Sequence, residues 1–112
     1  MSKEIGIKGE ALAKEYLQKK GYKILETNFK NKIGEIDIIA KHNNILIFVE
    51  VKTRESIKFG HPREAVNFYK QQKIRNVSIS YLKFNGLYDK ISVRFDVIDI
   101  VGNNITHIEN AF

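Results

Sequence analysis

The chain has 112 residues, 43% of them hydrophobic and 29% charged, with no cysteine and a formal net charge of +6. That size suits one domain, residues 1–112, and the composition is that of a globular chain rather than a disordered or membrane one. The absence of cysteine excludes a disulfide scaffold, a thiolate zinc site and a cysteine nucleophile, and it fits a reducing compartment.

The opening Met1-Ser2-Lys3-Glu4 leads into a charged segment without the apolar run of a secretory signal. The longest apolar stretches, such as Ile45 to Val49, are far too short to span a bilayer. A cytoplasmic protein with no membrane partner is the expectation. The isoelectric point, about 9.5, favours a polyanion partner, because lysine and arginine near phosphates release condensed counterions. DNA is the first candidate and RNA the alternative; ordinary solubilising charge is the bland one.

Lys3 to Lys20 reads as a helix ending at Gly21, a residue suited to the left-handed position after a helix. Ile5, Leu12, Ala13, Tyr16 and Leu17 fall on one arc, and Glu10 sits at its margin. Tyr22 to Phe29 reads as a strand, followed by a turn through Asn31-Lys32. Glu35 to Lys41 and Ile45 to Lys52 are strong strand signals, rich in β-branched residues. Thr53 to His61 is a charged loop. Pro62 suits the first turn of a second helix running to about Phe84, with Val66, Tyr69, Val77, Tyr81 and Leu82 on its buried face. Asn85-Gly86 breaks that helix. Ser92 to Val101 is a further strand and Ile105 to Ile108 a weak last one. Short turns imply antiparallel neighbours, and the long second helix permits a parallel crossover. The expected fold class is α/β, with a mixed central sheet flanked by helices.

Chemistry concentrates in Gly34-Glu35-Ile36-Asp37 and Phe48-Val49-Glu50-Val51-Lys52. Strand side chains alternate between faces, so Leu46, Phe48, Glu50 and Lys52 point one way and Ile45, Ile47, Val49 and Val51 the other. On the preceding strand the pattern groups Ile36, Ile38 and Ala40 against Glu35, Asp37 and Ile39. A hairpin turn centred on Asn43-Asn44 brings Asp37 opposite Glu50 on one face. Directly opposed residues have Cβ atoms about 5 Å apart, where like charges repel. Two such carboxylates among apolar neighbours need a cation, and Mg²⁺ or Mn²⁺ suits oxygen ligands. Lys52 reaches the same spot, where it can offset phosphate charge or activate water. Glu10 is a further acid within reach from the first helix. The set suits metal-assisted hydrolysis of a phosphodiester. The plainer alternative is a salt-bridge cluster of Asp37 and Glu50 with Lys52 and Arg54.

At these residues the chain resembles the PD-(D/E)xK nuclease superfamily, through the order helix glutamate, aspartate, then Glu-x-Lys. It is more closely similar to the YraN-like family of small bacterial proteins, through Gly9-Glu10, Gly34-Glu35-Ile36-Asp37, Phe48 to Arg54, Pro62 with Glu64-Ala65-Val66, Arg94-Phe95-Asp96-Val97 and the final Ile108 to Phe112. The resemblance spans nearly the whole chain. It implies a three-layer restriction-endonuclease-like fold with an α-β-β-β-α-β core, and likeness to archaeal Holliday-junction resolvases. By position it makes Asp37 and Glu50 metal ligands, Lys52 the catalytic lysine and Glu10 the acidic helix residue. The superfamily's proline before the first acid is Ile36 here, an apolar residue that keeps the strand geometry.

Lys52, Arg54, Lys58, Arg63, Lys70, Gln71 and Lys73, with Arg75, form a candidate nucleic-acid surface that would contact phosphates rather than read bases. For any one of these lysines a solvated helix face is the competing reading. His61 is a turn residue or a phosphate contact, and Arg94 and Asp96 take a structural role. Three functions follow: a Mg²⁺-dependent deoxyribonuclease acting on branched, repair or recombination structures, a non-catalytic nucleic-acid-binding adaptor that keeps the nuclease fold, or an interaction protein. The resolvase form of the first implies a two-fold homodimer.

Overall fold

The computed structural model describes residues 3–54 and 66–112. Helix α1 (Lys3–Lys19) is followed by strands β1 (Lys23–Lys30), β2 (Glu35–His42) and β3 (Ile45–Arg54), helix α2 (Phe68–Phe84), and strands β4 (Ser92–Val101) and β5 (Asn104–Ile108). The five strands lie side by side in chain order. β3 and β4 are parallel, joined through α2, and the other neighbours are antiparallel. Among the described residues no helix is long and apolar enough to cross a membrane.

Local chemistry explains the boundaries. α1 stops where Gly21 takes φ 89°; the Tyr22 amide then bonds the Leu17 carbonyl and the Gly21 amide that of Gln18. That is the two-bond helix closure glycine permits, and the flanking Leu17 and Tyr22 are both buried. Asn43 and Asn44 both adopt positive φ, 50° and 64°, the conformation of a two-residue hairpin matched to strand twist. The expected register follows, from His42 beside Ile45 to Ile38 beside Val49.

Each sheet face carries its own core. Ala13 and Leu17 of α1 pack with Ile38, Ala40, Ile47, Val49, Ile98 and Ile100. Ile74, Val77, Tyr81 and Leu82 of α2 pack with Ile36, Ile39, Leu46, Phe48 and Val97 on the other face. The result is the three-layer α/β arrangement the sequence implies.

Three expectations change. α2 begins at Phe68 under an Asn67 cap whose side chain accepts from the Lys70 amide at 2.9 Å, so Val66 precedes the helix. Pro62 and the loop before it lie outside the described residues. Tyr69 is 69% exposed and does not belong to the buried face. At about 100° per residue it lies roughly 130° from the centre of the Ile74–Val77–Ser78–Tyr81 arc, while Lys70 falls on that arc. The alternation of β2 also breaks: Ile36 joins Ile39 on the α2 side while Ile38 joins Ala40 on the α1 side. Across from Asp37 in β1, Asn28 takes a left-handed φ of 52° while the register holds on either side of it; the β1–β2 register itself shifts earlier, between Ile24 and Glu26.

At Gly9 helix α1 lies directly against Thr53 of β3. A Cβ there would overlap Thr53 Oγ1 and lie 2.9 Å from Thr53 Cβ, a stiff β-branched side chain. At Gly6, one turn earlier, a Cβ meets nothing within 4 Å. Gly9→Ala is therefore expected to destabilise the fold by about 1–3 kcal/mol. Gly6→Ala should stabilise it by up to about 1 kcal/mol through helix propensity. Opposite shifts in urea midpoint check both, and a gain in both variants would contradict the close α1–β3 packing.

Candidate active site at the strand fork

The β2–β3 ladder ends at Ile38 and Val49, one pair before Asp37 and Glu50. Beyond that point β3 stays paired with β4 to Arg54 and β2 stays paired with β1 to Glu35. The two strands fork, and Asp37 Oδ2 takes the freed Val51 amide at 2.7 Å. A side chain thus replaces the missing backbone partner, which anchors the carboxylate at the mouth of the fork.

Asp37 lines a cleft on each side. One, toward α2, is shared with Glu35, Glu50, Lys70, Lys73 and Ile74. The other, toward α1, is shared with Glu10, Asn28, Thr27 and Lys14. Its carboxyl is pushed up to about 8, by burial first and then by the Glu50 carboxylate, with Glu10 acting the same way; the Val51 amide and the Lys70 ammonium oppose this without cancelling it. The surroundings of Asp37 are therefore short of positive charge.

Glu50 is only 5% exposed, and its carboxylate meets Lys70 Nζ at 2.5 Å and Lys52 Nζ at 4.0 Å. Burial opposes protonation of Lys70, but the contact with Glu50 outweighs it and holds Lys70 above its ordinary pKa. Lys52 moves the other way: burial, and then the nearby Lys70 ammonium, push it down. One carboxylate cannot fully satisfy two crowded ammonium groups, and Lys70 has the closer contact.

Asp37, Glu50 and Lys52 thus come together as the register implies. Glu10 lies in the opposite cleft of Asp37. With the Asn28 amide oriented nitrogen-first, as the neighbouring acceptors require, it donates to both Glu10 oxygens at 3.2 Å. The left-handed backbone at Asn28 aims that side chain, a conformation asparagine tolerates better than most residues.

The candidate nucleic-acid residues separate. Lys52 and Lys70 face the acids, and Lys73 lines the same cleft with its ammonium over the Tyr69 ring. Arg54 is engaged in a two-bond pair with the buried Asp99, 3.0 and 3.3 Å, an acid that strand alternation alone does not single out. Gln71 donates to the Val66 carbonyl and closes the helix start. Arg75 stacks on Phe95 and Phe112. Lys58, His61 and Arg63 lie outside the described residues. Arg94 and Asp96 are structural as expected: Asp96 is fully buried and accepts from Arg94, His107 and the Asn110 amide, which ties down the chain end.

Mg²⁺ and Mn²⁺ take oxygen ligands, and Mg²⁺ in particular usually keeps several waters, so one or two carboxylates suffice. Asp37 and Glu50 offer that donor set, and a divalent cation would supply the charge Asp37 lacks. Among the described residues no three acid, histidine or cysteine side chains converge on a fuller cage.

The raised carboxyl makes a signed prediction for metal-free protein. Asp37 keeps its proton in the folded state up to about 8, yet ionises near 3.8 in the unfolded chain. The folded state binds more protons between those values, so this residue costs stability progressively as pH rises through them. In chelator, Asp37→Asn should gain in melting temperature over the parent protein as pH rises from 5 to 9, by about the same curve. A difference that stays flat across that range would contradict the buried, uncompensated carboxyl.

Residues 9–100, which include the whole fork and Glu10, match the model of the "Uncharacterised protein family UPF0102". A UPF0102 protein of Thermodesulfovibrio yellowstonii is 52% identical over 109 residues, covering 97% of this chain and 96% of its own length. One from Alkaliphilus oremlandii is 51% identical over 117 residues with both chains fully covered. Another, from Caldanaerobacter subterraneus subsp. tengcongensis, is 50% identical, covering 98% of this chain and 95% of its own. With a matching family model over most of its length and relatives that align end to end, the chain belongs to the UPF0102 family.

Proposed function

We propose that this protein is a divalent-metal-dependent endonuclease of the PD-(D/E)xK type, acting on DNA and on branched or recombination intermediates in particular. The observation that carries the reading is the fork itself, where two carboxylates and a depressed lysine meet beside an open, lysine-lined cleft. Asp37 and Glu50 would hold Mg²⁺ or Mn²⁺ between them. The ion, when bound, supplies Lewis-acid activation of the scissile phosphate and of water. Asp37 is positioned for this by the Val51 amide, and Glu50 by burial against α2.

Lys52 does the proton work. Its amine is pushed below the usual lysine range by burial and by the Lys70 ammonium, which favours the neutral form that can accept a proton from water. Once protonated, the same Nζ offsets charge building on the phosphate. Glu10, held by Asn28 on the far side of Asp37, orients water there. Lys73 lines the cleft where a phosphate backbone would lie, and such contacts position a strand without reading its sequence. A cutter of paired strands calls for a two-fold homodimer, and the cytoplasm is the compartment where DNA would be met.

The test is cleavage of supercoiled, linear and four-way-junction DNA with Mg²⁺ or Mn²⁺. Asp37→Ala and Lys52→Ala should each lower the rate by about 10²-fold or more while circular dichroism stays unchanged. Cleavage that persists in both variants overturns the assignment. Salt-sensitive DNA binding with no cleavage of any substrate moves the protein to the non-catalytic adaptor.

A further inference from the structure

Resting on the metal-binding reading above, we infer that Lys70 is a built-in cation of the carboxylate pair, which a divalent ion must displace from Glu50 before it can bind. The residue reaches the fork because of where it falls on its helix. Lys70 precedes Ile74 by four residues and Val77 by seven, so it shares their inward arc rather than the solvated face of Tyr69. The Asn67 cap fixes its backbone amide at the first turn. Its ammonium then lies against a carboxylate that is almost wholly buried, closer than the ammonium of Lys52.

Charge at the fork favours competition. Asp37 and Glu50 carry at most two negative charges, and Lys52 and Lys70 carry up to two positive ones. A divalent ion held between Asp37 and Glu50 would meet the Lys70 ammonium already against Glu50, in a half-buried place where like charges repel strongly. Withdrawal of one ammonium relieves it. Lys70 is the one in the way, since it lies closer to Glu50 than Lys52 does, and its half-exposed side chain on a flexible four-carbon stem can swing outward without moving the helix. Lys73 lines the same cleft. A phosphate backbone there would receive the displaced charge, so metal and polyanion would favour each other's binding, and that coupling is reciprocal.

Calorimetric titration with Mn²⁺ alone, with no nucleic acid present, tests this on the intact protein. Lys70→Met should bind Mn²⁺ at least about tenfold more tightly than the parent chain, because a neighbouring unit charge is gone. Lys70→Arg, which keeps the cation, should restore weak binding. Lys73→Met, which removes a charge from the same cleft without touching Glu50, should change affinity much less. Asp37→Asn should lose binding in either background. If the parent binds Mn²⁺ through Asp37 but Lys70→Met binds no more tightly, the displaceable-cation role is overturned and the metal site stands. If neither the parent nor Lys70→Met binds Mn²⁺, the metal-dependent reading falls and this inference falls with it.

Discussion

The separation of β2 from β3 at Asp37 is the constraint on which the candidate site depends. An unbroken ladder would have sealed the sheet and left Asp37 and Glu50 as a repelling cross-strand pair. Instead, pairing stops just short of these two acids, and the Asp37 carboxylate takes over the Val51 amide. That single bond satisfies a backbone donor, fixes an acid and opens a cleft on either side of it. The cost appears as a carboxyl that resists ionisation. Among the described residues every buried side-chain polar atom has a partner, so the shortage of compensation at the fork is one of charge rather than of hydrogen bonds.

A fork stays open only if the strands around it are held. β1 follows β2 through its own break, with Asn28 left-handed across from Asp37 and flanking pairs Thr27–Ile38 and Phe29–Ile36 intact. β3 is held on its other edge by ten consecutive parallel partners in β4. Gly9 lets α1 lie directly on Thr53 at the end of β3, which brings Glu10 close to Asp37. The paired breaks in β1 and β2 explain how two neighbouring strands change face together without losing their ladder, since a break in one alone would leave backbone groups unpaired.

Much of this is legible in the sequence. Asn43-Asn44 set the hairpin, and the hairpin sets a register that carries Asp37 and Glu50 to neighbouring positions, although the ladder itself stops one pair short of them. Gly21 marks the end of α1 for the same kind of local reason. What sequence misses is whatever depends on a break in regularity or on a distant partner. The face of Ile36 is hidden, because alternation does not announce the twist at Asn28. Tyr69 looks like a core residue when the helix is begun too early, and an error in phase moves every side chain around the axis. Arg54 looks free because Asp99 lies 45 residues away in sequence. Lys70 reads as a phosphate contact, since its inward direction emerges only once the Ile74–Val77 arc is known.

The distribution of cations follows a chemical division. The three described arginines are engaged in structure: Arg94 grips the buried Asp96, Arg54 grips the buried Asp99, and Arg75 lies over Phe95 and Phe112. Each uses what guanidinium does best, planar two-bond recognition of a carboxylate or stacking on a ring. The cations at the fork are lysines instead. An ammonium is a point charge with no fixed partner geometry, and its pKa moves readily when buried, as the opposite displacements of Lys52 and Lys70 illustrate. On the metal-binding reading proposed above, exchange of one cation for another would need groups that bind without locking. An arginine in place of Lys70 would fork onto Glu50 and hold it, whereas a lysine leaves the carboxylate available to a stronger competitor. Among the described residues the fold therefore commits its arginines to the frame and sets two lysines, Lys52 and Lys70, against the acids of the fork, where the surroundings of Asp37 are short of positive charge.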